Sequence, residues 1–254
     1  MRQLVAVTVL LSFTQWANGE TVDFDFSSGI GPYFSVSNDS GLFNVATDGS
    51  GLRISKTADN GTVAPQSWVS AGVNSNFSVV GNFSITVDFT LTDFPFPNQV
   101  EGLNESVLSV VANSQSYADV LRYTVGEYGG ESIIEGWAVP PGSTYGAQVS
   151  FLTTGCYCIQ RVGSIITQSF ADPGSSSFTV LGSVDGFSDP MNIQLLAAQG
   201  ENSPDSGRST TSLDISYNNL VVEADQIQGI PEPSTLILLG VGAIGVLAWR
   251  SRRG

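Results

Sequence analysis

Residues 82–91 alternate strictly between apolar and polar side chains. The apolar positions are every second residue, namely Phe83, Ile85, Val87, Phe89 and Leu91. A period of two is the period of a β-strand that buries one face and exposes the other. Residues 21–26 repeat the pattern, with Val22, Phe24 and Phe26 predicted to point inward and Asp23 and Asp25 outward. A chain built from such segments has to bury one face of at least one sheet.

Further β-rich runs continue this pattern along the chain, most of them separated by Gly, Asn, Asp, Ser or Pro turns. They cover residues 52–55, 68–71, 107–112, 120–125, 133–139, 147–152, 178–181, 192–197 and 213–223. Residues 156–161 and 165–170 flank a short glycine-containing connection and predict a hairpin. No long helical stripe occurs before residue 234. About a dozen strands are too many for one flat sheet, so we expect an all-β fold of two packed antiparallel sheets.

The first 19 residues have the features of a secretory signal peptide. Arg2 precedes an apolar run over residues 4–13, and Ala17 and Gly19 are the small residues expected before a cleavage site ahead of Glu20. A retained anchor is less favoured, because ten apolar residues are about half of a bilayer span. We therefore predict a signal peptide over 1–19 and a single domain over 20–228.

The C-terminal segment 229–254 has three parts. It contains a Pro-Glu-Pro-Ser sequence (Pro231, Glu232, Pro233 and Ser234), an uncharged run over 234–249 and three arginines, Arg250, Arg252 and Arg253. The run predicts a short membrane-spanning helix, Pro233 suits its first turn, and the basic end 250–254 is expected on the cytoplasmic side.

This arrangement closely resembles the PEP-CTERM sorting signal. The resemblance implies recognition and cleavage by exosortase, a membrane transpeptidase. It also implies export across the inner membrane, transient anchoring through the C-terminal helix, and delivery to the cell surface or an exopolysaccharide matrix. A plain membrane anchor is the alternative interpretation.

Charge and composition exclude several function classes. The chain has 9 basic and 23 acidic residues, a net charge of −14 and no histidine. An acidic body repels nucleic acid, so no nucleic-acid partner is expected. Without histidine, a serine triad and histidine-ligated metal chemistry lack their main parts.

Four segments in order make the body resemble the concanavalin A-like lectin/glucanase jelly roll. They are residues 50–55, 81–89, the hairpin within 155–170, and the closing strand 213–223. The resemblance implies a two-sheet jelly-roll sandwich with a carbohydrate-binding or a structural role. Sugars can stack on aromatic rings while amides and carboxylates bind their hydroxyls. The candidate sugar-binding residues are Trp68, Tyr123, Tyr128, Trp137 and Tyr145, with Tyr128 and Tyr145 in glycine-rich loops.

Some proteins that share this fold are glycosidases, which need two carboxyl groups about 5 to 9.5 Å apart. The nearest acidic pattern here is Glu127, Glu131 and Glu135, spaced four residues apart. On one strand this spacing separates neighbouring acids by about 13 Å. We therefore predict solvated loop and edge acids and no enzymatic activity. A glycan-active, glycosidase-like enzyme of the same fold is the alternative.

Two further sites are left open by the sequence. Cys156 and Cys158 are two residues apart, near the upper distance limit for a disulfide, so a strained disulfide, two buried thiols or a metal-binding pair all stay possible. No cofactor is predicted, although Asp172, Asp185 and Asp189 could supply calcium ligands. Simple turns account for the same sequences, and the metal content is left open.

Overall fold

The structure is a computed structural model that describes residues 19–61, 68–98, 102–126, 131–139, 143–188, 190–201 and 207–230. Within these ranges the side chains of residues 143–145 are not described. No helix long and apolar enough to cross a membrane occurs in the described part of the chain. The predicted signal peptide over 1–19 lies outside it except for Gly19, and the predicted sorting residues from Pro231 onward lie outside it as well.

The described residues form fifteen strands. In chain order these are β1 (Glu20–Phe24), β2 (Phe34–Ser37), β3 (Asn44–Thr47), β4 (Leu52–Lys56), β5 (Trp68–Ser75), β6 (Ser78–Asp93), β7 (Gly102–Asn113), β8 (Ser116–Val125), β9 (Glu131–Val139), β10 (Ser143–Val149), β11 (Thr154–Val162), β12 (Ile165–Ala171), β13 (Thr179–Val184), β14 (Asn192–Glu201) and β15 (Leu213–Gln228).

The strands form two antiparallel sheets that pack face to face. The first sheet has the order β13-β12-β11-β6-β15-β4-β3, with β1 also paired to β15. The second sheet has the order β10-β9-β8-β7-β14-β5-β2. Both orders place sequence-distant strands side by side, as in a jelly roll. The predicted all-β, two-sheet jelly-roll sandwich is therefore confirmed.

The long strand β6 shows why the sequence folds this way. Phe83, Ile85 and Val87 have no exposed surface and Phe89 is 1 % exposed, so the predicted inward face of 82–91 is confirmed. These side chains join one core that also contains Leu108 of β7 and residues from most other strands. Burying a large apolar side chain contributes about 1.5 to 3 kcal/mol, which makes this alternation the main determinant of the fold.

The predicted hairpin is also present. β11 and β12 pair from Cys156 with Ala171 to Val162 with Ile165. The connection is two residues long, and Gly163 adopts a φ of +62°, a left-handed conformation that glycine tolerates without strain.

The observed strands differ from the predicted runs at several positions, and the predicted run 147–152, for example, corresponds to β10 (Ser143–Val149). β1 ends at Phe24, although Phe26 still points into the core with a φ of +56°. Strands β2 and β3 were not expected, because their four-residue sequences carry too little apolar alternation to be distinguished from a loop.

Candidate functional site

A groove crosses the outer face of the second sheet. Because side chains alternate along a strand, Leu108, Val120 and Ile134 fill the core while their neighbours on β7, β8 and β9 point outward. The outward side chains enclose a cavity of about 440 Å³. Its lining comprises Trp68, Leu103, Glu105, Tyr117, Asp119, Leu121, Tyr123, Val125, Glu131, Ile133, Glu135 and Trp137. A second cavity of about 250 Å³ shares Trp68, Glu105, Tyr117 and Asp119 with it and extends the groove toward β14.

Besides the exposed Glu131, three acids reach this groove from three neighbouring strands. In the β7–β8 register Glu105 lies opposite Tyr123, and in the β8–β9 register Glu135 lies opposite Leu121 and Asp119 opposite Trp137. Burial, followed by the negative charges of Asp119 and Glu135, raises the pKa of Glu105 to about 8. Glu105 is therefore the acid that interacts with both of the others.

The other two acids accept hydrogen bonds from neighbouring hydroxyl groups. Ser109 Oγ donates to Asp119 Oδ1 over 2.5 Å, and Tyr123 Oη donates to Glu135 Oε2 over 2.9 Å. Burial raises the pKa of Asp119 to about 7, against the opposing effect of the Ser109 hydrogen bond. Burial, followed by the charge of Glu135, also raises the pKa of Tyr123, so this phenol stays a hydrogen-bond donor at neutral pH.

Aromatic rings form the rest of the groove. Trp68 is 42 % exposed and lies beside Gly200 of β14, where an added Cβ would come within 2.0 Å of the indole ring. The absence of a side chain at Gly200 thus allows the Trp68 ring to lie across the neighbouring strand. Trp137 and Tyr117 contribute two more rings to the same lining.

The chemistry of such a surface follows from its two kinds of group. Flat rings bind the apolar faces of sugars, and carboxyl and phenol groups bind hydroxyls with defined geometry. A carboxyl group whose pKa is raised to about 8 also provides a proton donor of the kind that glycoside hydrolysis requires.

The sequence-predicted aromatic residues divide into two sets. Trp68, Tyr123 and Trp137 line this groove together. Tyr128 lies outside the described residues, and Tyr145 lies in β10 without a described side chain. The sequence analysis missed Glu105, Asp119 and Tyr117. The alternation of side chains along each strand could have identified them, because all three alternate with residues that belong to the hydrophobic core.

The prediction that Glu127, Glu131 and Glu135 are solvated loop and edge acids is wrong for Glu135. Glu131 and Glu135 both line the groove, but Glu131 is exposed whereas Glu135 is only 8 % exposed, so Glu135 is not a solvated edge acid. The sequence reasoning compared acids along one strand, whereas the structure brings together acids from adjacent strands. Glu127 lies outside the described residues.

Both cysteines are free thiols on the outer side of β11. Burial raises the pKa of Cys158 to about 11 and, with the nearby Asp88 carboxylate, raises that of Cys156. Of the proposed calcium ligands, Asp185 accepts hydrogen bonds from Ser164 and Gly186, the Asp172 carbonyl closes a turn with Ser175, and Asp189 is not described. Among the described residues no group of three or more Cys, Asp or Glu side chains is placed to hold a metal ion.

Solved structures of similar fold are numerous but distant in sequence. One, from a study of gut bacteria described as "Prominent members of the human gut microbiota express endo-acting O-glycanases to initiate mucin breakdown", has a TM-score of 0.55 at 13 % identity and covers 83 % of this chain and 99 % of its own. A lichenase, a prokaryotic β-1,3-1,4-glucanase from a mouse hindgut metagenome, gives 0.56 at 12 % identity, covering 81 % and 99 %. The CBM2 module of the evolved Dit protein of Lactobacillus casei BL23 phage J-1 gives 0.57 at 8 % identity, covering 82 % and 97 %.

At these identities the similarity establishes the concanavalin A-like fold alone. It nevertheless overturns the prediction that the body is not an enzyme, because glycoside hydrolases are among the proteins that share this fold. The physical reason is that this sandwich brings acids together across strands, which the single-strand spacing argument did not consider.

Two family models match the chain, whereas no curated protein does. Residues 229–253 match the PEP-CTERM protein-sorting motif, so the predicted PEP-CTERM tail is confirmed and supports export and exosortase sorting. The second model matches residues 21–239, nearly the whole sandwich. By this match, the chain belongs to the family described as the C domain of the protein of unknown function DUF1583.

Proposed function

We propose that this chain is an exosortase-sorted cell-surface or exopolysaccharide-matrix protein whose second sheet binds a polysaccharide along its outer groove. The observation that carries the proposal is the groove itself, where Trp68 and Trp137 lie in one lining with Glu105 and Glu135. The described groove lining contains acids and no basic residue. It therefore disfavours anionic polymers, and the ligand we propose is an uncharged polysaccharide.

The sorting tail determines the proposed location of the chain at the membrane and then at the cell surface. Its PEP-CTERM motif supports processing by exosortase, and we propose that the run 234–249 anchors the chain in the membrane until cleavage near Pro231 to Pro233. Mass spectrometry of the surface-extracted protein from its native host tests this step. We expect a C-terminus near residues 231–233, whereas a mature pool that still ends at Gly254 would leave only a membrane anchor.

Binding is tested by retention of the chain on immobilised polysaccharides. A panel of a neutral β-1,3-1,4-glucan, a neutral galactan and the anionic polymer alginate separates the ligand classes. We expect retention by a neutral polymer and none by alginate. The double substitution Trp68→Ala and Trp137→Ala should weaken that retention about tenfold or more, because each aromatic contact contributes about 0.5 to 1.5 kcal/mol beyond its buried area.

The matched control is Phe151→Ala, which removes a 73 % exposed aromatic ring that is not part of the groove lining. It should leave retention unchanged. Equal losses for the control and the double variant would mean that binding is not located in the groove. If none of the polymers is retained, the sandwich has a structural role in place of a binding role.

A second function, hydrolysis of the bound glycan, is favoured by one specific observation. Glu105 has a pKa raised to about 8, and it interacts with the charge of Glu135, which is held by the Tyr123 hydroxyl. In this arrangement Glu105 is the proton donor to the departing sugar oxygen, and Glu135 is the group that activates water or attacks the sugar. Release of reducing sugar from the retained polymer tests it.

A further inference from the structure

The folded body extends into the beginning of the sorting motif. Strand β15 ends at Gln228, which pairs with Ser78 at the start of β6. The next residue, Gly229, has a φ of +101° and lies so close to the β5–β6 turn that an added Cβ would be 3.1 Å from the Asn76 carbonyl oxygen. Ile230 then packs against the core. Since the motif match begins at Gly229, its first two residues are already part of the folded body.

This short connection fixes how far the body can lie from the membrane. The predicted membrane-spanning run begins at Ser234, four residues after Ile230. Four residues span at most about 14 Å even when fully extended. The headgroup region on each side of the hydrocarbon core is itself roughly 5 to 8 Å deep. The end of the sandwich that holds Gln228 therefore has to stay at the membrane surface while the chain is anchored.

The β11–β12 hairpin tip lies at this same end. Gly163 N donates to Asn82 Oδ1 over 2.7 Å, four residues from the start of β6. The amides of Gly186 and Phe187 donate to the Ser164 carbonyl, which ties the tip to the loop that follows β13. At the tip Val162 and Ile165 face each other across the hairpin and are 59 % and 46 % exposed.

We propose that this end of the sandwich is a lipid-contacting surface, on which Val162 and Ile165 enter the headgroup region of the bilayer while the sorting tail is uncut. The inference rests on the membrane anchoring proposed above. Two aliphatic side chains bind a bilayer weakly by themselves, but a tether of only three residues between Ile230 and Ser234 keeps them at a high effective concentration beside it.

The charges near the tip specify the lipid. Asp185 accepts a hydrogen bond from Ser164, and Asp225 accepts two from Asn82, so two carboxylates flank the aliphatic pair. Carboxylates are repelled by anionic headgroups, and the contact is therefore with zwitterionic lipid.

The orientation leaves the groove accessible. Strand β5 runs from Trp68 to Ser75, and Ser75 precedes the turn that contacts Gly229. Trp68 consequently lies at the end of β5 remote from the membrane. A polysaccharide can then reach the groove before the tail is cut.

The test uses the full chain reconstituted in phosphatidylcholine vesicles that contain brominated phosphatidylcholine, a short-range quencher of tryptophan emission. The substitution Ile165→Trp adds one tryptophan at the tip. Its matched control is Val149→Trp, because Val149 is 70 % exposed and pairs with Ile133 toward the remote end of the second sheet. We expect more than about half of the added emission of the tip variant to be quenched, as for a side chain in the headgroup boundary. The added emission of the control should be unaffected.

Three outcomes would overturn the inference. If the vesicles float and the protein does not float with them, the chain is not anchored, and both the anchor and the lipid contact are excluded. If the protein floats with the vesicles but the tryptophan at position 165 is not quenched, the anchor is present and only the lipid contact is excluded. Equal quenching of both variants would mean that the body has no preferred end toward the bilayer.

Two further changes sharpen the result. Replacing part of the lipid with phosphatidylglycerol should reduce the quenching at position 165, and increased quenching would contradict the zwitterionic preference. A flexible insert of twelve Gly and Ser residues between Ile230 and Pro231 spans roughly 19 Å on average. It should reduce quenching as well, and unchanged quenching would contradict the role of the short tether.

Discussion

Both outer faces of the sandwich carry acids, but the surroundings of these carboxyl groups differ between the two faces. On the first sheet Asp214 accepts two hydrogen bonds from Arg53, Asp225 accepts two from Asn82, and Asp88 accepts one from Asn219. On the second sheet Glu105 lies in a groove, where burial and the charges of two other acids raise its pKa to about 8.

The comparison shows that acid content alone does not identify a site. A carboxylate that is solvated or paired with a donor contributes charge and solubility. A carboxyl group that is partly desolvated beside other acids keeps its proton near neutral pH, and such a group can donate it to a bound molecule. The two faces therefore predict opposite results for the same kind of substitution.

The largest difference is expected for hydrolysis. Glu135→Gln should reduce release of reducing sugar from the retained polysaccharide by about a thousandfold, because general acid–base groups contribute roughly 10² to 10⁴ in rate. Glu223→Gln, an exposed acid opposite Ser84 on the first sheet, should leave the rate unchanged. If the wild-type chain retains the polymer but releases no sugar, the groove binds without hydrolysing.

A smaller loss is expected when the Tyr123 hydroxyl is removed. Tyr123→Phe deletes the donor to Glu135 while keeping the ring in the groove lining. A hydrogen bond to a charged group contributes about 1.5 to 3 kcal/mol, so we expect roughly a tenfold to hundredfold loss in the same rate. Binding measured by retention should change much less, and a parallel loss of binding would mean that the hydroxyl contacts the sugar directly.

The last prediction concerns stability and its dependence on pH. Because the pKa of Glu105 is raised in the folded state from an ordinary value of 4.5, the unfolded chain loses this proton first and stability falls as pH rises from about 4.5 toward 8. Glu105→Gln should therefore show a smaller drop in melting temperature between pH 5 and pH 8 than the wild type. The remaining drop has the same sign, since the pKa of Asp119 is raised to about 7.

The control on the first sheet is Asp225→Asn. This substitution weakens the hydrogen bonds from Asn82. It should therefore lower the melting temperature slightly, and by the same amount at pH 5 as at pH 8. A melting temperature of Glu105→Gln that falls with pH as steeply as that of the wild type would contradict the raised pKa of Glu105.

Much of the fold could be predicted from residues 82–91, because a strict two-residue alternation allows only one face to be buried. The hairpin at Gly163 was equally predictable, since a glycine between two β-rich runs specifies a tight turn. The order of the strands was predictable only through the family resemblance. Pairings such as β14 with β7 join residues about 90 apart, and no local pattern encodes them.

The candidate site was harder to predict than the fold. Trp68, Tyr123 and Trp137 were selected for their chemistry, and they lie in the same lining. Glu105 and Asp119 were not selected, because their significance depends on the β7–β8–β9 register and not on their spacing along the chain. The same lack of register information led to the wrong expectation for Glu135.

We propose that the outer groove of the second sheet is where the glycan binds. The most direct measurement is a crystal structure of residues 20–230 with an oligosaccharide derived from the retained polysaccharide. The account predicts sugar rings stacked on Trp68 and Trp137, with hydroxyls within about 3 Å of the Glu105 and Glu135 carboxyl oxygens. An oligosaccharide bound on the outer face of the first sheet, with the groove of the second sheet filled only by solvent, would contradict it.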